Sequence, residues 1–520
     1  MPAMSSKNAR TLTAPADAAR AGAATPHSAA PPAVPRIAWG PVLAIVSLVG
    51  VVMVVTSANY ARGFDEMYFL IAGRDHPALG YFDQPPLVPL LAGLLDRWFP
   101  DSLIALRLPV SLAAAAGAGI TALIARELGG GRGAQAMAAG AYACSGIITV
   151  SHWLATYTLD PFFWTLLTWL VVRWVRLHRA GIRDDRPLLW AGIVTAISLE
   201  TKFMIPAFWV LTGLSALVLG PRELLRRPML WLGAAIAVVC TIPALGWQAT
   251  HGWPYLEMGR VVAAESPGKV AFVITSVSGA GFLAGVIGLC YGYWRLLRAP
   301  ELRSYRFLAV ALLATFVAFL LTDGRFYYTM GLYALPFGAA AAELSRRRMA
   351  KGWRLLVWPV FALSAVLLVV QLPIYPESKV RGMPESWNGV PLGSTFASGE
   401  LPQRDVGLRA GQAYAALPPE VRERTAVFAE IYPFAAATDY YGRGYGIEQV
   451  YSGHRGYWYF GMPSETKDKV LVVNPSRSEG KRDQLAPYFR SSREVVAGLL
   501  TLYEDRERPW SEIWPQVRNS

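Results

Sequence analysis

Charge is what this chain has least of. Only 16% of its 520 residues are Asp, Glu, Lys or Arg, while 53% are hydrophobic, a balance foreign to an ordinary soluble enzyme. Lysine is scarcest, 8 residues against 41 arginines. Three cysteines, Cys144, Cys240 and Cys290, lie in separate apolar runs, so packing is their expected role and no disulfide framework or thiolate metal site is expected. No Gly-rich phosphate loop, Walker motif or metal-spaced histidine pair occurs, which leaves nucleotide-driven chemistry without support. His76, His152, His251 and His454 are isolated and read as structural or hydrogen-bonding residues. No internal repeat stands out.

What the chain has instead is apolar length. About 20 helical residues cross the ~30 Å core of a bilayer. Eleven spans are expected, near 38–57, 103–125, 134–150, 158–176, 187–201, 203–220, 229–247, 270–291, 306–322, 327–344 and 355–373; the fifth is short enough to be tilted or broken. The connections 126–133, 173–186, 221–228, 292–306 and 346–354 hold nineteen Lys and Arg and alternate with loops that hold few. The positive-inside rule then puts the N-terminus in the cytoplasm. With an odd number of spans, everything after about 374 lies on the extracytoplasmic face of the plasma membrane. The first span reads as a retained anchor, its apolar stretch too long for a cleaved signal peptide. The net charge of +13 is that of helix-end arginines facing anionic membrane lipids; no nucleic-acid partner is needed.

Three regions follow. Residues 1–36, rich in Ala, Pro and Ser, are expected to be a disordered cytoplasmic tail, and 37–373 a transmembrane catalytic domain. Residues 374–520 open on turn signals (Gly382, Pro384, Gly389, Pro391, Gly393). Short candidate strands near 425–429, 447–452 and 469–474 then alternate with a helix at 433–441 and a further patch at 493–503. The expected fold class is mainly α: a polytopic membrane protein of about eleven transmembrane helices, with amphipathic helices in the first outer loop and a small C-terminal α/β extracytoplasmic domain.

The loop between the first two spans, about 45 residues long, is more than a connector. One helix is expected from Asp65 to about His76, and a second after Asp83 as N-cap, with Pro85 and Pro86 in its first turn. Leu87, Leu90, Leu91, Leu94, Leu95 and Trp98 recur at helical spacing, a stripe suited to the membrane interface. Asp65 and Glu66 are costly carboxylates to place beside a bilayer. At a helix start, Asp65 is kept ionised by the backbone dipole and can take a proton from an incoming hydroxyl or amine; plain helix capping is the competing role. Asp160, at the outer mouth of the fourth span, is a second candidate, again with capping as the alternative; buried unpaired it would be expensive.

Lys202 and Arg325 sit where spans turn back with hardly any loop. There they could hold a phosphate by charge-assisted hydrogen bonds, with Tyr327 and Tyr328 as added donors; snorkelling to the interface is the competing role. Carboxylates for deprotonation, cations for a phosphate and lateral access for a lipid equip a chain to transfer a group from a phospholipid carrier. A transporter or flippase of lipid-linked sugars is the alternative, but its informative charges would gather near mid-membrane.

Several ordered motifs carry a resemblance: Asp65-Glu66, Gly80-Tyr81-Phe82-Asp83-Gln84-Pro85-Pro86-Leu87, Ala105-Leu106-Arg107-Leu108-Pro109, Thr156-Tyr157-Thr158-Leu159-Asp160-Pro161, Thr201-Lys202-Phe203, Trp247-Gln248-Ala249-Thr250-His251-Gly252-Trp253-Pro254 and Arg325-Phe326-Tyr327-Tyr328. Over about residues 60–345 the chain resembles the lipid-carrier-dependent glycosyltransferases of the multi-span C-type fold (family 39-like), among them bacterial aminoarabinose transferases of lipid A and relatives of protein O-mannosyltransferases. The resemblance implies a polyprenyl-phosphate-linked sugar donor, transfer at the extracytoplasmic face to a cell-wall glycan, glycolipid or protein, and inversion at the anomeric carbon. It implies Asp65 as the catalytic carboxylate and Asp160 as a second acidic position. Lys202, Arg325, Tyr327 and Tyr328 match positions near the carrier phosphate, and Glu66, Tyr81, Asp83 and Gln84 are further candidates for substrate contact. Gln84 stands where aminoarabinose transferases carry a Lys, which weakens one phosphate contact and makes lipid A an open question as acceptor. Metal dependence varies among such enzymes; a divalent metal stays open and no residue is assigned to one. The aromatic-rich stretches around Tyr432 and over 451–460 resemble the terminal domain of bacterial members, and no chemistry is assigned to them.

Overall fold

The computed structural model describes residues 34–346, 351–475 and 483–519; the tail expected to be disordered lies almost wholly outside them. From Trp39 onward the helices are α1 (Trp39–Thr56), α2 (Phe64–Asp75), α3 (Leu87–Trp98), α4 (Leu103–Glu127), α5 (Arg132–Ala143), α6 (Gly146–Val150), α7 (Thr156–Arg179), α8 (Arg186–Leu199), α9 (Ile205–Leu219), α10 (Pro228–Thr250), α11 (Tyr255–Ala264), α12 (Lys269–Ser278), α13 (Ala284–Arg298), α14 (Arg306–Leu321), α15 (Ala334–Arg346) and α16 (Lys351–Val369). By length and composition α1, α4, α10 and the stretch Pro300–Leu321 can cross a membrane; α8, α9, α12 and Leu355–Val369 are shorter apolar helices. Leu48, Val55, Val218, Val239 and Trp358 are largely exposed on these faces. In water such surfaces would aggregate, whereas lipid is as apolar as they are. The chain is a multi-pass membrane protein.

Two expected spans are interrupted. Residues 134–150 divide into α5 and α6 at Cys144-Ser145, and 270–291 into α12 and α13 at 279–283. The breaks meet, the Gly146 N–H donating to the Gly279 carbonyl at 2.8 Å, so backbone freed by one interruption is satisfied by the other, as a bilayer demands. A third span, expected at 327–344, begins as a 3₁₀ turn, Phe326–Leu332, before α15.

The loop after α1 builds the ground under the site. α2 begins at Phe64, close to expectation. α3 begins later than expected: Pro86, not Asp83, holds its cap position, and the Asp83 carboxylate accepts the Tyr68 hydroxyl at 2.9 Å instead. The helices cross where Gly73 meets α3; a Cβ there would lie 1.7 Å from the Pro89 carbonyl oxygen, so any side chain would part them. α3 buries Val88, Pro89, Ala92 and Gly93 and turns Leu90, Leu94 and Trp98 outward. The expected leucine stripe is therefore divided, since Leu91 and Leu95 pack against the core.

Past residue 374 come α17 (Glu377–Val380), the hairpin β1 (Ser386–Trp387) and β2 (Val390–Pro391), α18 (Ser394–Ala415) and α19 (Pro419–Glu423). Then follow β3 (Thr425–Ala429), α20 (Tyr432–Gly442), β4 (Val450–Tyr451), β5 (Lys469–Val473), β6 (Phe489–Val496) and β7 (Leu500–Arg506), with α21 (Trp510–Ile513) near the end. The five strands β3–β7 form one sheet in the order β4-β3-β5-β7-β6. β3 pairs parallel with β4 and β5, and β7 pairs antiparallel with β5 and β6. The patch at 493–503 is thus a hairpin. Its apolar residues, Val495, Val496, Leu499, Leu500 and Leu502, fall at spacings a helix also gives, and Gly498 at φ +65° makes the turn between the strands. α20 lies against α2, where Arg443 pairs with Asp75 at 2.7 Å and the Arg62 guanidinium sits 4.3 Å over the Tyr440 ring.

Candidate active site

A cavity of about 1140 Å³ opens between α2, the 83–85 turn, the start of α7, α11, the Phe326–Leu332 turn and α20. Asp65, Asp83, Gln84, Lys202, Arg325, Tyr327 and Tyr328 all line it. These residues span some 260 positions of sequence, and the fold brings them to one chamber.

Asp65 sits in the first turn of α2. Gly63 holds the N-cap position with no side-chain cap bond, so the Asp65 carboxylate is not spent on capping. It half-faces the cavity and accepts the Tyr432 hydroxyl at 2.7 Å. Burial pushes this carboxyl above its usual range; the Tyr432 bond, Arg455, Tyr157 and Arg325 pull it back without cancelling the rise. Asp83 is pushed up to about 6 by burial, against the Tyr68 bond and Arg455 and with the negative charge of Asp65 adding to the rise. Both carboxyls of the chamber are thus raised above free Asp, and Asp83, at about 6, lies in the range suited to accepting a proton near neutral pH. His454 stacks on Tyr432 with ring centroids 5.5 Å apart. Burial, then Arg455, hold its pKa down at about 3, so it is neutral.

Three cations face these acids. The Lys202 ammonium lies 4.0 Å from the Tyr328 ring centroid and 5.7 Å from that of Tyr327, a cation–π cradle that holds the charge in place without neutralising it. Arg325 is ion-paired to Glu265, and Arg455 pairs with the other oxygen of the same carboxylate. Sequence reasoning missed Tyr157, Tyr432, Glu265 and Arg455. For Arg455 one signal existed, a lone arginine between glycines in Gly453-His454-Arg455-Gly456.

Glu66, Tyr81 and Asp160 are not on the cavity wall. Glu66, expected at the substrate, points away from it into a closed ionic knot. Its Oε2 lies 2.9 Å from Arg107, which lies 3.5 Å from Glu400, and none of the three side chains is exposed. Arg107 also donates to the carbonyls of Ser57 at 2.9 Å and Ala61 at 2.8 Å. Glu66 Oε1 accepts the Leu154 N–H at 3.1 Å, and Glu400 accepts the Ala61 N–H at 2.8 Å and the Trp153 indole at 2.6 Å. With every partner satisfied, the knot fixes the start of α2, and so Asp65, against α4, the α6–α7 turn and α18. The Tyr81 hydroxyl folds the 76–81 turn, accepting the Ala78 N–H and donating toward the Ala72 and His76 carbonyls, each at 3.1 Å. Asp160 is 5% exposed and Lys202 is the cation that acts on it. It does not cap α7; the Thr158 hydroxyl accepts the Ala155 N–H at 3.1 Å there. The cysteines are free, and Cys144 lines the cavity. Among the described residues no three His, Cys, Asp or Glu side chains converge as metal ligands do.

A family model described as dolichyl-phosphate-mannose-protein mannosyltransferase matches residues 83–247, a stretch that holds Asp83, Gln84, Asp160 and Lys202 but not Asp65, Arg325 or Arg455. The fold is similar to that of ArnT from Cupriavidus metallidurans in the apo state, with TM-score 0.61, 16% identity, and coverage of 90% of this chain and 98% of that one. The same protein bound to undecaprenyl phosphate gives TM-score 0.57 and 17% identity over the same shares. Archaeal oligosaccharyltransferase AglB from Archaeoglobus fulgidus, in complex with an inhibitory peptide and a dolichol-phosphate, gives TM-score 0.47 and 11% identity over 87% of this chain and 72% of that one. No curated protein sequence matches the chain. The fold is that of the multi-span C-type glycosyltransferases, with a family 39-like segment within it.

Proposed function

We propose that this chain is a membrane glycosyltransferase that moves a sugar from a polyprenyl-phosphate carrier to a cell-wall glycan, glycolipid or protein on the extracytoplasmic face, with inversion. One observation carries the reading: Asp65 and Asp83 share a chamber with Lys202, Arg325 and Tyr328. The acceptor hydroxyl gives its proton to Asp65 as its oxygen attacks the anomeric carbon. The bond from that carbon to the carrier phosphate breaks, and the phosphate leaves with one more negative charge. Lys202 and Arg325 face that developing charge from fixed positions, where preorganised cations act most strongly. Asp160, buried and off the cavity wall, interacts with Lys202 through its charge. Attack from the face opposite the phosphate inverts the centre. The undecaprenyl phosphate bound in the ArnT structure and the dolichyl-phosphate-mannose description of the family both support a lipid-phosphate donor. In this reading 37–373 is the catalytic domain, and 374–520 is an extracytoplasmic domain that supplies Tyr432.

A transporter of lipid-linked sugars draws on one observation of its own, the meeting of two interrupted helices at Gly146 and Gly279. Proteoliposomes carrying a labelled polyprenyl-phosphate sugar and envelope acceptors separate the two. Formation of a new glycosidic bond with release of polyprenyl phosphate supports the transferase; movement of intact carrier without bond formation overturns it. Mass spectrometry of envelope glycans and glycoproteins from a deletion strain then identifies sugar and acceptor.

A further inference from the structure

We infer that Arg455, supplied from beyond the last membrane helix, is a ligand of the carrier phosphate, and that Glu265 is its resident competitor, a carboxylate seated between Arg325 and Arg455 until the phosphate displaces it. The inference rests on the carrier-dependent transfer proposed above and adds to it a residue and a release step.

Arg455 is built to point into the cavity. Its backbone is left-handed, φ +51°, a conformation that non-glycine residues seldom adopt and that tends to persist where the surroundings over-determine it. Here they do. The Arg455 N–H donates to the Asn519 carbonyl and the Asn519 N–H to the Gly453 carbonyl, both at 2.9 Å. On the other side Gly456 presses on Tyr68, whose hydroxyl would lie 1.8 Å from any Cβ placed there. The side chain is 11% exposed, its guanidinium carbon 5.2 Å from the Tyr432 ring centroid, and its Nε is buried with no hydrogen-bond partner. One donor therefore stays unmet even while Glu265 is bound, and a phosphate offers more acceptor oxygens than a carboxylate to meet it.

Glu265 has little else to hold it. It follows the last residue of α11, at the helix end where the backbone dipole disfavours a carboxylate, and its side chain is 42% exposed. The other end of α11 is tethered separately, Glu257 to Arg518 at 3.0 Å, so Glu265 can leave the arginines while the helix stays attached. A sugar phosphodiester carries the same single charge as the carboxylate it would replace, so the exchange brings no new net charge into the chamber. After transfer the phosphate gains a second charge and is held harder; Glu265, always at hand beside the two arginines, weakens that hold and so eases the product's release.

The test titrates undecaprenyl phosphate into the full-length protein in lipid nanodiscs and follows tryptophan fluorescence. Glu265→Gln should tighten binding about tenfold, Arg455→Gln should weaken it by about tenfold or more, and Glu265→Gln should give no gain once Arg325 and Arg455 are both Gln. The gain in the first variant cannot come from misfolding, since that side chain is exposed. Affinity unchanged in both single variants overturns the inference and leaves the carrier reading standing. Loss in Arg455→Gln without gain in Glu265→Gln overturns the competitor role. Absence of saturable binding to the unaltered protein overturns the carrier reading, and this inference with it.

Discussion

Replacing Asp65 by Asn separates chemistry from architecture. A positioned base contributes about 10²–10⁴-fold to rate, or roughly 2.7–5.4 kcal/mol of barrier, and Asn cannot take the acceptor proton. The amide oxygen can still accept the Tyr432 hydroxyl that now reaches Asp65 at 2.7 Å. The substitution also removes the charge whose burial raises the carboxyl's pKa. Thermal stability should therefore hold or rise slightly, while Asp65→Ala, which strands the Tyr432 hydroxyl, should cost about 1–3 kcal/mol. The assay follows sugar transfer from labelled carrier in proteoliposomes, with undecaprenyl phosphate binding and thermal unfolding measured on the same preparation. The expected pattern for Asn is intact melting, intact carrier binding and transfer down by about 10³-fold. Transfer within about threefold of the unaltered protein, a change of under ~1 kcal/mol in the barrier, refutes the role given to Asp65.

Transfer should fall as pH drops through about 6, because Asp83 protonates there and its charge is lost from the chamber; a pH–rate profile of Asp83→Asn should lose that contribution and keep only the fall set by Asp65. Glu66→Gln should lower stability by about 3–5 kcal/mol, because it leaves Arg107 as a buried charge short of its partner; thermal unfolding in detergent checks this, and a shift under ~1 kcal/mol contradicts it. Burial lifts Glu400 to about 7 from its ordinary 4.5. The folded protein thus holds this proton more tightly than the unfolded chain, and the corresponding stability, at most ~3 kcal/mol, is present below about 4.5 and lost as pH rises toward 7. Glu400→Gln should flatten that slope in melts taken across the window. Lys202→Met should weaken donor binding and, by leaving Asp160 without its cation, lower stability; adding Asp160→Asn should restore the melt but not the binding.

Apolar helices are legible because apolar length is a local property; among the described residues α1, α4, α10 and Pro300–Leu321 have the length and composition to cross a bilayer. Asp65, Lys202 and Arg325 could be picked out for a related reason: a charge beside apolar runs stands out. The interruptions at 144–145 and 279–283 could not be read, because small residues continue the hydropathy while the backbone breaks to pair Gly146 with Gly279. Glu66 was misjudged because its neighbour Asp65 shares its chemistry, and only the fold shows that one faces the cavity while the other faces Arg107. Tyr432 and Arg455 reach the site from more than 360 positions away. Nothing local distinguishes such a residue from an ordinary aromatic or cationic surface group.

Chains are synthesised from the N-terminus and domains tend to fold in that order. The loop bearing Asp65 is made early, yet the hydroxyl that steadies its carboxylate is 367 residues downstream, and Glu400 of the ionic knot comes nearly as late. A nascent molecule already threaded through the bilayer therefore has apolar helices and a half-furnished chamber. The chamber around Asp65 is complete only once the last third of the polypeptide has been made and packed against α2.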